Sequence, residues 1–143
     1  MVQKYLSKIS GPLLDRIDLH VEVTPVNFTE LDSKEETEKS DEIRARVIRA
    51  REIQDLRFAD KEDLHYNAQM SPKMVRKVCQ ISDEGNILLK SAMEKLGLSA
   101  RAYDRILKVA RTIADLDGSE NVEMEHLAES INYRSLDREG WAG

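Results

Sequence analysis

Leu98-Ser99-Ala100-Arg101-Ala102-Tyr103-Asp104-Arg105-Ile106-Leu107-Lys108-Val109-Ala110-Arg111-Thr112-Ile113-Ala114-Asp115-Leu116 reads as one long amphipathic helix. At 100° per residue, Ala102, Ile106, Val109, Ala110, Ile113, Ala114 and Leu116 share a broad apolar arc with Tyr103 and Leu107. Arg101, Asp104, Arg105, Lys108, Arg111 and Asp115 take the opposite arc. Ser99 supplies an N-cap hydroxyl, and Asp117-Gly118 stops the helix. So wide an apolar arc must be covered by other elements, and the neighbouring segments are helical too.

Outward from this stretch, the same punctuation recurs. Ser82, followed by Asp83 and Glu84, opens a helix whose apolar stripe is Ile87, Leu88, Leu89, Ala92, Met93 and Leu96, ended by Gly97. Ser71-Pro72 is an N-cap with proline at the first helical position, opening a short helix to about Gln80. Ser40, Asp41 and Glu42 start a helix to about residue 57, with Ile43, Val47, Ala50, Ile53 and Leu56 on one stripe. A last helix runs from about Glu123 to Tyr133, with Leu127, Ala128 and Ile131 inward. The expectation is a mainly α fold, a bundle of four to five helices.

The N-terminal part differs. Ile17-Asp18-Leu19-His20-Val21-Glu22-Val23 alternates strictly between apolar and polar, the period of a half-buried strand over about 17–24, and Pro25 ends it. A single strand makes no sheet, so its partners must come from another part or another molecule. Residues 29–39 are a charged linker, and 135–143 read as a flexible tail.

The chain has 143 residues, a formal net charge of −5, 34% charged residues and 5% aromatics. That balance suits a helical domain and opposes an aromatic-rich β-sandwich or a generic polyanion binder. Cys79 is the single cysteine, which excludes a disulfide framework, a CxxC redox pair and a multi-cysteine zinc site. No apolar run approaches the roughly 20 residues of a membrane span, and Met1–Tyr5 lead into no apolar signal core. A cytoplasmic protein with no membrane partner is expected.

The candidate functional side chains are arginines. Arg101 stands in the first turn of its helix, where a cation faces the positive end of the dipole; an anion such as phosphate would relieve that conflict. The alternative is a solvated basic face with Arg101 paired to Asp104. Arg16, between Asp15 and Asp18, is either a structural ion-pair member or a phosphate-reaching side chain. Arg44, Arg46, Arg49, Arg51 and Arg57 are offset by Asp41, Glu42, Glu52, Asp55 and Asp60, which favours a surface laced with ion pairs. His20, His65 and His126 have no partner at metal-ligand spacing, and Cys79 reads as a buried small hydrophobe. No phosphate loop of the form G-x-x-x-x-G-K-[ST] and no Mg²⁺-binding acidic strand is present.

Lys8-Ile9-Ser10-Gly11-Pro12-Leu13-Leu14-Asp15-Arg16-Ile17-Asp18-Leu19-His20-Val21-Glu22-Val23 resembles the end of the ATPase core in magnesium-chelatase-like AAA+ proteins, in particular the ComM/YifB competence-protein group. The stretch Leu98–Leu116 is similar to that group's C-terminal domain, and Asn67-Ala68-Gln69-Met70 and His126-Leu127-Ala128-Glu129-Ser130-Ile131 fit it as well. The resemblance runs from about Tyr5 to Leu136. It implies that Arg16 is an arginine finger acting in trans and that Arg101 is the sensor-2 residue, with Arg105 as an additional nucleotide-contact candidate. It also implies ATP and Mg²⁺ as cofactors of a full-length protein and none bound to this chain alone, which is not expected to be catalytic.

On this reading, 1–28 are the end of an AAA+ core, poorly ordered in isolation, 40–134 are a helical lid, and the chain is a fragment of a longer protein. Its partners would be the missing ATPase core and neighbouring subunits of a homo-oligomeric ring. The group implies a motor acting on DNA in natural transformation; the chelatase branch implies Mg²⁺ insertion into porphyrin. A free-standing helical protein-interaction module and a DNA-binding module are the readings from other classes.

Overall fold

A computed structural model describes residues 10, 13, 16–21, 23, 25 and 37–134. Its elements are α1 (Ser40–Arg57), a 3-10 turn (Asn67–Gln69), α2 (Pro72–Val78), α3 (Asp83–Leu96), α4 (Ala100–Asp117) and α5 (Met124–Asn132). The mainly α bundle is as the sequence predicts. No described helix is long and apolar enough to cross a membrane. The linker residues 29–36 and the tail 135–143 lie outside the described residues.

The α4 helix is the central element and packs against α5, α1, α2 and the 3-10 turn, while α3 covers α5. Its start and stop follow from local chemistry. Ser99 Oγ accepts from the Ala102 amide at 3.3 Å, and Gly118 ends the helix at φ 74°. Ser71 and Ser82 cap α2 and α3 in the same way, accepting from Met74 at 3.4 Å and Gly85 at 3.1 Å. At α5 a histidine takes the capping role. The Glu123 amide donates to His126 Nδ1 at 3.0 Å, so the proton of the neutral ring sits on Nε2, 3.4 Å from Asp117 Oδ2.

Ile106, Leu107, Ala110 and Ala114 of α4 close a core with Phe58, Met70, Val75, Cys79, Leu89, Val122 and Leu127. Each large apolar side chain fully buried there contributes about 1.5–3 kcal/mol. Burial also pushes the Cys79 thiol up to about 11, in keeping with a small core hydrophobe.

Four expectations need correction. Arg111 and Asp115, placed by periodicity on the solvent side of α4, are 2% and 1% exposed, because α1 and the 3-10 turn pack on that side. The predicted α1 stripe is largely uncovered: Ile43, Val47 and Leu56 are exposed, and the side that packs is Ala50, Gln54 and Arg57. Ile87 of α3 is likewise exposed. Lys39, not Ser40, precedes the first turn of α1, with the Glu42 carboxylate accepting from the Lys39 amide at 2.9 Å.

The strand expectation also meets a different outcome. Among the described residues of 17–23 no strand is formed, since a ladder needs a partner strand. The segment lies on the bundle instead. The His20 amide donates to the Tyr133 carbonyl at 2.8 Å, and the Arg134 guanidinium donates to the Ile17 carbonyl. The alternation is inverted relative to the bundle: His20 is buried, while Leu19, Val21 and Val23 are 47%, 68% and 87% exposed.

Candidate functional site

A groove of about 440 Å³ runs along the outer side of α4. It is lined along α4 by Arg101, Asp104, Arg105 and Lys108 in the first half of the helix and by Val109, Ile113 and Leu116 in the second. Asp18 and Leu19 close one side, and Glu129 and Tyr133 of the α5 end close another. Lys108 Nζ is held by the Ala68 carbonyl at 2.9 Å. The Tyr133 hydroxyl donates to Glu129 Oε1 at 3.0 Å, and that bond to a carboxylate raises the phenol above its ordinary value.

The three predicted arginines divide clearly. Arg101 is exposed in the first turn of α4 and lines the groove, and its guanidinium makes no ion pair or hydrogen bond with any described residue. In particular it does not pair with Asp104. Arg105, one turn on, is committed to an ion pair with Asp18. Arg16 is exposed, its amide donating to the Leu13 carbonyl at 3.0 Å, and its guanidinium makes no bond to a described residue. The structure therefore links the Arg16 segment to α4 through Asp18 and Arg105, and among the described residues the guanidinium groups of Arg16 and Arg101 have no partner.

A second polar cluster was not anticipated. Asp115, buried at the C-terminal end of α4, accepts from Arg57 at 2.5 and 2.7 Å, from Asn67 Nδ2 at 2.8 Å and from Arg111 Nε at 3.1 Å. Gln54 Oε1 accepts from the Asn67 amide at 3.0 Å, and Arg57 also donates to Asn67 Oδ1 at 2.9 Å. Arg111 reaches onward to the carbonyls of Ser119 and Glu120 at 2.6 and 2.8 Å. These groups join α1, the 3-10 turn, α4 and the following loop in one satisfied network, and they are enclosed by it rather than presented to a ligand. The sequence signal was the spacing of Arg111 and Asp115, four apart on one helix, beside an Asn that opens a tight turn.

No group of three His, Cys, Asp or Glu side chains that could hold a metal ion occurs among the described residues.

Comparison with known proteins places this geometry. Residues 37–134 match the family described as magnesium chelatase, subunit ChlI C-terminal, and residues 1–31 match magnesium chelatase, subunit ChlI. The competence protein ComM of Haemophilus influenzae is 42% identical over 138 residues, covering 96% of this chain and 26% of the relative. The uncharacterized protein YifB of Escherichia coli is 40% identical over 137 residues, covering 94% of this chain and 26% of the relative. YifB of Salmonella typhimurium is 37% identical over 138 residues, with 94% and 26% covered. The chain thus spans about a quarter of the length of the relatives it matches. On the match over 37–134 and the identity along nearly all of its length, the chain belongs to the magnesium-chelatase-like family, as a C-terminal part of the ComM/YifB type.

Proposed function

We propose that this chain is the lid of an AAA+ ATPase, in which Arg101 is the sensor-2 contact to the ATP γ-phosphate and Arg16 is an arginine finger directed at the nucleotide of a neighbouring subunit. The observation that carries the reading is Arg101 itself. An exposed guanidinium with no partner among the described residues stands at a helix N-terminus, where the amides and the dipole already favour an anion. A phosphate oxygen there accepts charge-assisted hydrogen bonds and relieves the repulsion.

The residues present fit the phosphate end of ATP but not its metal. With no three-ligand cluster among the described residues, the reading assigns Mg²⁺ to acidic residues of an ATPase core joined to this lid. The match of 1–31 to the chelatase ChlI family supports such a core, and the exposed Leu19, Val21 and Val23 suit a segment that pairs into its sheet. On this reading the assembly is a homo-oligomeric ring. The name of the ComM relative, a competence protein, favours a motor acting on DNA over a chelatase.

The test is ATP turnover by the full-length protein carrying Arg101→Ala or Arg16→Ala. Each is expected to lower kcat by at least about tenfold, toward the roughly 10³–10⁵ that a finger supplies in GTPases. Unchanged turnover in both overturns the reading.

A further inference from the structure

Arg16 and Arg101 stand on different segments, and one ion pair connects those segments. Asp18 lies two residues after Arg16, and Arg105 lies one helical turn after Arg101 and also lines the groove. Their side chains are in direct contact, guanidinium to carboxylate. We infer that the Asp18–Arg105 pair is a relay that sets the position of Arg16 according to the position of the α4 start that carries Arg101. The inference rests on the lid reading above and names two positioning residues that act through the arginines rather than on nucleotide.

Three features support it. Arg105 stands on the capped α4 helix, so a shift of Arg101 toward an anion moves Arg105 with it. The Asp18 end belongs to a short piece that also meets the bundle through the His20 amide on the Tyr133 carbonyl and the Arg134 guanidinium on the Ile17 carbonyl. Both of those bonds reach the C-terminal end of α5, whereas the ion pair reaches α4. Finally, the two side chains are 31% and 54% exposed. An exposed pair adds little to folding stability, which suits a contact made and broken during a cycle rather than a fixed staple.

The experiment is a set of double-mutant cycles in the full-length protein, read as steady-state ATP turnover. Asp18→Asn and Arg105→Gln are each expected to lower kcat about fivefold or more, the low end of ordinary coupling between sites, with KM changed less than about twofold. In an Arg16→Ala background the same substitutions are expected to have no further effect, because the relay has nothing left to position. The exchanged pair Asp18→Arg with Arg105→Asp is expected to recover most of the lost turnover. A purely structural pair would lower turnover equally in both backgrounds, and that result overturns the relay. So does a normal kcat in both single variants, or an exchanged pair no better than either single change. Turnover unaltered by Arg16→Ala overturns the lid reading and the relay together; turnover sensitive to Arg16→Ala and indifferent to Asp18 and Arg105 overturns the relay alone. In the 143-residue chain, faster hydrogen exchange of the His20 amide in Arg105→Gln reports loosening of the segment without any nucleotide; unchanged exchange opposes the relay.

Discussion

Arg57 and Asp115, 58 residues apart in sequence, meet through two side-by-side hydrogen bonds of 2.5 and 2.7 Å, with the Asp115 side chain fully buried. A planar guanidinium matches a carboxylate in this two-pronged way, which a lysine could not do. The pair closes α1 onto the C-terminal end of α4. Because Arg111 binds the same carboxylate, one negative charge answers two positive ones.

Removing that charge is therefore expected to be costly. Asp115→Ala leaves Arg57 and Arg111 facing each other without compensation and should destabilise the bundle by about 3–5 kcal/mol in urea unfolding. Glu38→Gln, which breaks the solvent-exposed pair with Arg46, should leave the urea midpoint unmoved. Equal effects of the two changes would contradict the assignment of Asp115 as the centre of the network.

Arg111→Lys tests the onward reach of the network. The lysine retains a charge for Asp115 but has no fork to span the Ser119 and Glu120 carbonyls. A loss of about 1–3 kcal/mol is expected, with faster hydrogen exchange in the loop between α4 and α5. Wild-type stability in this variant would show that the carbonyl contacts contribute nothing.

Cys79 gives a pH dependence with a definite sign. Burial raises its thiol from 9.0 to about 11, so between those values the unfolded chain loses the proton and the folded chain keeps it. Stability from this group is full below pH 9 and is lost as pH rises toward and past 11. The loss amounts to about 2–3 kcal/mol once both states are ionised. Cys79→Ala should flatten this alkaline limb in unfolding measured from pH 8 to 11. An unchanged slope would mean that Cys79 does not carry it.

Gly118 stands at φ 74°, and a Cβ added there meets nothing within 4 Å. The cost of Gly118→Ala is then backbone strain alone, about 1–2 kcal/mol. Gly118→Asn should cost less, since asparagine tolerates the left-handed region better. Equal losses for the two would show that the C-cap of α4 does not require this conformation.

Much of this architecture was legible because helix punctuation is local. Ser71, Ser82, Ser99, Gly97 and Gly118 act within four residues of themselves, and their roles follow from the sequence without reference to the rest of the fold. Arg111, Asp115 and Arg57 show what was not legible. Periodicity sorts side chains by polarity, and a buried polar network presents the pattern of a solvated face. The meeting of Arg57 with Asp115 depends on how α1 crosses α4, which no local pattern encodes. His20 carries the same lesson at the N-terminal end: alternation identifies two sides of a segment, and only packing decides which one turns inward. Arg101 drew notice in the sequence because its conflict with the helix dipole is itself a local property.

Residues 37–49 are all exposed, and burial on α1 begins at Ala50. An 18-residue helix is about 27 Å long, so the exposed residues span roughly the first 15 Å of α1 while its other end is bolted through Arg57. Mechanically this is a cantilever. A tilt of about 10° at the Arg57 root carries the Ser40 tip through about 5 Å, given the rise of 1.5 Å per residue. Small rearrangements around Asp115 are thereby magnified at the point where the preceding polypeptide enters, and stiffness at the root governs how much of that displacement arrives.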